Sequence, residues 1–181
     1  AALSEKATYG CYRILGDDKK PEEYLILLAS QAETILKGHK FECVASDIVG
    51  AKLVGLRYQP LYDCHVNLLG QSVDTSNAYR TITDPTVEAG EGTGIVHIAP
   101  AYGDLEVGRR HELPVLFSVG LDGMVLPALA KFAGKFFKEA DPLVTRDLKE
   151  RGLLWNSGRI KHSYPFCWRC DTPLLYFAKD S

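Results

Sequence analysis

Apolar and polar positions alternate clearly near the start of the chain. Thr8-Tyr-Gly-Cys-Tyr-Arg-Ile-Leu15 is rich in β-formers and predicts a strand, closed by a turn at Gly16-Asp-Asp18. The period then lengthens. Leu25, Leu28, Ala29, Ala32, Ile35 and Leu36 fall on one helical face, Pro21 suits a first turn and Gly38 a stop, so Glu22 to Lys37 predicts a helix. Short β-rich stretches follow at Phe41 to Val49, Lys52 to Leu56, Tyr79 to Thr83 and Thr93 to Ile98, separated by Gly, Pro and Asp/Asn clusters. Asp104 to Glu112 predicts a short helix ended by Pro114. Val115 to Val119 and Met124 to Leu126 flank Asp122-Gly123, a two-residue hairpin signal. A last helix is predicted from Ala140 to Arg151, with Asp141 as N-cap, Pro142 at its first position and Gly152 as terminator. Many short strands with three helices predict a β-barrel or strongly curved sheet carrying helices on its outside.

Composition narrows this picture. A chain of 181 residues with 46% hydrophobic and 24% charged residues can bury a core, and fits one domain rather than a disordered tail. A net charge of −2 argues against non-specific gripping of nucleic acid, which needs many lysines and arginines, but leaves room for a partner offering one nucleic-acid end. No apolar run approaches the roughly 20 residues of a membrane span, and no signal-peptide pattern opens the chain. The first residue is not methionine, so a larger parent is expected. Five cysteines with one close pair do not make a secreted disulfide framework, and the expected compartment is cytoplasmic.

Two segments carry candidate chemistry. In Gly92-Thr-Gly-Ile-Val-His-Ile-Ala-Pro-Ala-Tyr-Gly-Asp104, a β-branched strand runs into a Pro-Gly break ending on a carboxylate. Proline removes a ladder donor, and a carboxylate at a helix start stays ionised, suited to a ligand ammonium group. Read from the residues alone, Asp104 caps its own helix and His97 is a hydrogen-bonding residue at a strand end before either is a ligand contact. Cys167-Trp-Arg-Cys170 has the spacing of half a tetrahedral zinc site. Cys11, Cys43 and Cys64 provide no second knuckle, so partner ligands are expected outside this chain; two free thiols are the plain alternative. Cys64 and His65 are adjacent and would point to opposite faces of a strand, which argues against a nucleophilic pair. Tyr164, Phe166, Trp168, Tyr176 and Phe177 suggest a domain junction rather than base stacking, since Pro165 and Pro173 interrupt the run. Lys131, Lys135, Lys138, Lys149, Arg151, Arg159 and Lys161 make the last third basic, as a solvated face or a nucleic-acid-facing one.

The segments Gly92-Thr-Gly-Ile-Val-His-Ile-Ala-Pro-Ala-Tyr-Gly103 and His162-Ser-Tyr-Pro-Phe-Cys-Trp-Arg-Cys170 together resemble signatures of the inserted editing domain of isoleucyl-tRNA synthetase, a class I aminoacyl-tRNA synthetase. Glu139-Ala-Asp141 and Arg151-Gly-Leu-Leu154 also fit, so the resemblance runs from about Thr8 to the end. The valyl enzyme's editing domain is the second match, because its turn before the key aspartate differs.

The resemblance implies a closed β-barrel with peripheral helices over 1–160, and a junction segment over 161–181 leading back to a Rossmann-type catalytic domain. It implies hydrolysis of Val-tRNA(Ile) and valyl-adenylate. The implied catalytic residues are Asp104, as anchor of the substrate α-amino group, and His97, beside the terminal ribose or the amino acid. Glu106 is the fallback anchor, because the preceding loop is about two residues short. Gly92, Thr93, Gly94, Ile95 and Val96 would line the substrate together with His97 and Asp104. The implied partners are the 3′ end of aminoacylated isoleucine tRNA, its valine moiety and the synthetase's own catalytic domain, with no membrane. Editing needs no cofactor; structural zinc at Cys167 and Cys170 and ATP at the catalytic domain would belong to the full-length protein. The family's threonine-rich pocket wall is expected just upstream of residue 1, and its ATP signatures are not in this sequence. A non-catalytic zinc-knuckle module that docks tRNA is the competing reading.

Overall fold

In the computed structural model, which describes all residues except 17–21, 88–89, 91, 102, 159–162 and 178–181, the predicted barrel is absent. The described strands form two open three-stranded sheets. One has the order β5-β1-β6, from β1 (Ala2–Leu3), β5 (Ile82–Thr83) and β6 (Ile95–Val96), with β1 parallel to β5 and antiparallel to β6. The other has the order β3-β2-β4, from β2 (Thr8–Leu15), β3 (Glu23–Leu28) and β4 (Lys40–Val49), and is antiparallel throughout. Closure needs long strands in continuous register. Here β1, β5 and β6 are two residues each, and the β-rich stretches at 115–119 and 124–126 reach only isolated bridges such as Val119 with Val125.

The predicted helix from Glu22 to Lys37 is also corrected. Its first half is strand β3, paired with β2 from Tyr9 opposite Leu28 to Ile14 opposite Glu23, and only Ala32–Ile35 is α-helical (α1). A continuous Leu-Ile-Leu-Leu run satisfies either period, and a neighbouring strand decides for extension. Pro21 lies outside the described residues. Lys52 to Leu56 is not a strand: Gly50–Leu53 makes a 3₁₀ turn, and Gly55 sits at φ 85°. The helix α2 covers Asp104–Arg110 as expected, and the hairpin at Asp122-Gly123 is present, with Gly123 at φ 77°. Helix α3 runs Phe137–Glu150, starting earlier than predicted, so Pro142 lies inside it and Asp141 is not its cap. Phe137 and Ala140 are buried, and their burial draws an extra turn into the helix.

The chain falls into two units. The first comprises Ala1–Gln59, Asn77–Ala99 and Arg109–His111; the second comprises Pro60–Ser76, Pro100–Gly108 and Glu112–Ser181. The expected boundary after residue 160 falls within 159–162, outside the described residues. In the first unit a core of Leu3, Ala7, Tyr9, Leu28 and Leu53 is flanked by Ile48 and Ile95, each large apolar side chain being worth roughly 1.5–3 kcal/mol when fully buried. In the second, Val125, Phe132 and Ala140 pack with Tyr62, Val119, Leu129, Leu143 and Val144.

Candidate functional site

Six of the predicted substrate-lining residues, Gly92 to His97, form one continuous wall in the first unit. Gly92 and Gly94 adopt φ 55° and 71°, left-handed values that glycine takes without strain. Between them the Thr93 hydroxyl accepts from Ile95 N–H at 3.3 Å and closes a local turn. Strand β6 then pairs Ile95 with Leu3 and Val96 with Ala2. Gly94 is buried; Thr93, Val96 and His97 are exposed. The wall therefore offers a hydroxyl, a branched apolar side chain and an imidazole outward.

Asp104 opens α2 and is half-buried, in the second unit, while Glu106 two residues along is exposed. The Gly103 carbonyl accepts from Glu106 N–H at 3.2 Å and Val107 N–H at 3.4 Å, so these two donors of the first turn are satisfied by backbone. Val107 faces the interior. At the other end of α2, Arg110 donates to Asp84 at 2.5 Å. Asp84 is buried; burial works to raise its carboxyl, but hydrogen bonds from the Thr86 hydroxyl and N–H and from Arg110 outweigh this and hold it below the usual range.

The knuckle is a tight turn. Cys167 N–H donates to Thr172 C=O and Asp171 N–H to Cys167 C=O, both at 2.9 Å, with Asp171 at φ 53°. Cys170 sulfur lies 3.1 Å from the Thr172 hydroxyl; that hydroxyl, the Thr172 N–H and Cys167 pull its thiol below the ordinary value. All five cysteines are free thiols, and among the described residues no third His, Cys, Asp or Glu joins this pair. Two thiolates would suit a soft or borderline cation that finds its other ligands elsewhere. His162, Arg159 and Lys161 lie outside the described residues. Trp168 is 83% exposed and Phe166 and Tyr176 more than half, so this segment presents apolar surface. Cys64 is buried with its sulfur 3.1 Å from Phe117 C=O, and burial raises its thiol, as befits an inert cysteine rather than a nucleophile.

The basic residues of the last third do not act as one patch. Lys131 and Arg151 both bind the buried Asp147, which also accepts from the Tyr62 hydroxyl at 2.8 Å. Lys131, then Tyr62 and Arg151, pull its carboxyl down to about 2 against the cost of burial. Lys138 sits over the Tyr164 ring at 4.2 Å. Lys135 and Arg146 line a depression of about 410 Å³ beside Asp147 and Glu150. The sequence reading missed both buried carboxylates. Asp84-Pro-Thr86 is a side-chain turn signal, and Asp147 lies four residues before Arg151; both hints are local, whereas Tyr62 and Lys131 are distant in sequence.

No family model matches the chain. Among curated proteins it is 42% identical over 170 residues to an isoleucine–tRNA ligase of Dehalococcoides mccartyi, covering 88% of this chain and 17% of that protein. It is 46% identical over 134 residues to isoleucine–tRNA ligase 2 of Pseudomonas fluorescens, covering 73% of this chain and 12% of that protein. A third relative, the isoleucine–tRNA ligase of Pyrococcus furiosus, is 38% identical over 184 residues, covering 99% of this chain and 17% of that protein. With identities of 38% to 46% across most of its length in relatives from such distant organisms, the chain, a domain-length sequence spanning about a sixth of those ligases, belongs to the isoleucyl-tRNA synthetase family.

Proposed function

We propose that this chain is the editing domain of an isoleucine–tRNA ligase, hydrolysing Val-tRNA(Ile) and, secondarily, valyl-adenylate. The observation that supports the reading is the wall: Thr93, Val96 and His97 are exposed along a stretch whose glycines 92 and 94 take left-handed φ, with Leu28 packed directly behind Gly94. The need is physical. A pocket shaped for isoleucine rejects valine through one methylene only, worth roughly 1–3 kcal/mol, a limit for which isoleucyl-tRNA synthetase is itself the standard example. A second site that admits valine and clashes with isoleucine supplies the missing fidelity. In this reading the Asp104 carboxylate receives the substrate α-ammonium group, His97 limits side-chain size beside the ribose, and water attacks the ester carbonyl, so positioning carries most of the catalysis. The partners are then the aminoacylated tRNA 3′ end and the ligase's own catalytic domain, where ATP is used, in the cytoplasm. Cys167 and Cys170 would supply two of four zinc ligands.

The test is deacylation of Val-tRNA(Ile) against Ile-tRNA(Ile). The domain should hydrolyse the first and spare the second. Asp104→Ala should lose activity by 100-fold or more while costing about 1 kcal/mol of stability; loss in Glu106→Ala instead moves the anchor. His97→Ala should let Ile-tRNA(Ile) be hydrolysed. Binding of tRNA without hydrolysis of either ester would favour the docking-module reading, and equal hydrolysis of both would end the second-sieve idea.

A further inference from the structure

The wall's backbone is held from behind by residues that the sequence motifs did not flag. Tyr9 is fully buried, its hydroxyl accepting from Ser4 N–H at 3.0 Å and donating to Gly94 C=O at 2.7 Å. Leu28, at the end of β3, donates its N–H to Thr93 C=O at 2.9 Å. Gln31 donates to Gly90 C=O at 3.0 Å. A Cβ on Gly94 would lie 2.3 Å from the Leu28 side chain, so Leu28 occupies the space behind the wall completely. Two wall carbonyls (93 and 94), and that of Gly90 just before the wall, are thus consumed by the protein, and the outward side is left to side chains. Resting on the editing reading, we infer that Tyr9 is a positioning residue for specificity: by fixing the Gly94 carbonyl inward it makes the wall a rigid shape filter rather than a set of hydrogen-bond acceptors. A wall that yields by a fraction of an ångström would accommodate an extra methylene; a fixed one does not.

Tyr9→Phe removes one hydroxyl and leaves Ser4 N–H and Gly94 C=O buried without it. The expected result is exchange of the Ile95 and Val96 amides accelerated about 10-fold, with Tyr12 and Arg13 unchanged. The kcat on Val-tRNA(Ile) should fall about 10-fold with KM within about 2-fold, and the preference for Val over Ile should shrink. Unchanged exchange at Ile95 and Val96, or faster exchange with unchanged kcat and preference, overturns the inference. Should Tyr9→Phe fail to fold, Leu28→Val decides: it loosens the packing directly behind Gly94, and an unchanged preference for Val over Ile overturns the inference. A wild-type domain that hydrolyses neither ester overturns the editing reading itself, an outcome distinct from an active wild type indifferent to Tyr9.

Discussion

The two units keep their shape by different means. The first is built on backbone ladders, with a neutral Tyr9 hydroxyl at its centre. The second has a helix and isolated bridges, and beside its core sits an ionised Asp147 held by Lys131, Arg151 and Tyr62. A ladder spreads its stability over many equivalent bonds, none of which titrates. A buried carboxylate concentrates it in one group whose removal leaves two cations facing each other. The difference teaches where each unit should fail: the first mainly through packing, with the Asp84–Arg110 pair as a smaller charged element, the second mainly through charge.

Truncating the central anion tests that contrast most severely. Asp147→Ala should lower Tm on the order of 10 °C, with exchange rising first around Phe132 and α3 and later in the β2–β4 ladder. Simultaneous loss in both units would erase the distinction. Acidification should give a smaller effect of the same sign. Asp147 ionises at about 2 in the folded state, below its unfolded value near 4, so its contribution is complete above about pH 4 and disappears as pH falls towards about 2. Asp84, also held below its usual range, adds a weaker loss in the same direction to the first unit. Fluorescence from Trp155 in the second unit, set against amide signals of β2, should therefore show the second unit yielding at higher pH.

Two finer tests remain. Zinc measured on the purified domain should stay well below one ion per chain, because Cys167 and Cys170 would supply only two of the four ligands a structural site needs; stoichiometric zinc would mean that the second unit is metal-braced as well as charge-braced. The smallest effect is expected at Arg13, which pairs with Glu42 at 2.5 Å and Glu22 at 3.4 Å on the exposed face of the ladder. Arg13→Ala should move Tm by less than about 2 °C, and less still in 1 M salt. A larger shift would show that charge matters to the ladder unit too.

The same contrast explains what was legible in the sequence. β2, β4, α2 and the Asp122-Gly123 hairpin could be read because each is encoded locally, by alternation, by a stop such as Pro114 or by turn chemistry. β3 was mistaken for helix because Leu25 to Leu28 fits both periods, and its pairing with residues 9–14 is a tertiary fact. Pro142 was placed at a helix start because proline prefers that position; burial of Phe137 and Ala140 extended α3 past it. The barrel was expected both from the many short β-rich stretches and from the family resemblance, whereas the two-residue strands of the first sheet leave it open. In the candidate site, Gly92 to His97 and Asp104 could be named from their motif. Tyr9 and Leu28 could not, since nothing in Thr8 to Leu15 or Leu25 to Leu28 announces a bond to residues some 65 to 85 positions away.

Strand β4 forms one edge of its sheet, and among the described residues no strand pairs with its outer side. A ten-residue edge is where a second molecule would add itself and begin a fibril. Two extra residues relative to β2, between the Tyr9 and Cys11 pairings and between Cys11 and Tyr12, break its register, and Asp47 turns to φ 58° at the first of them. Lys40, Glu42 and Asp47 add charge along the same edge. A newcomer strand cannot lie flat across two bulges. The bulges therefore act as a guard against polymerisation, protecting a part of the domain that no measurement of hydrolysis would bring to notice.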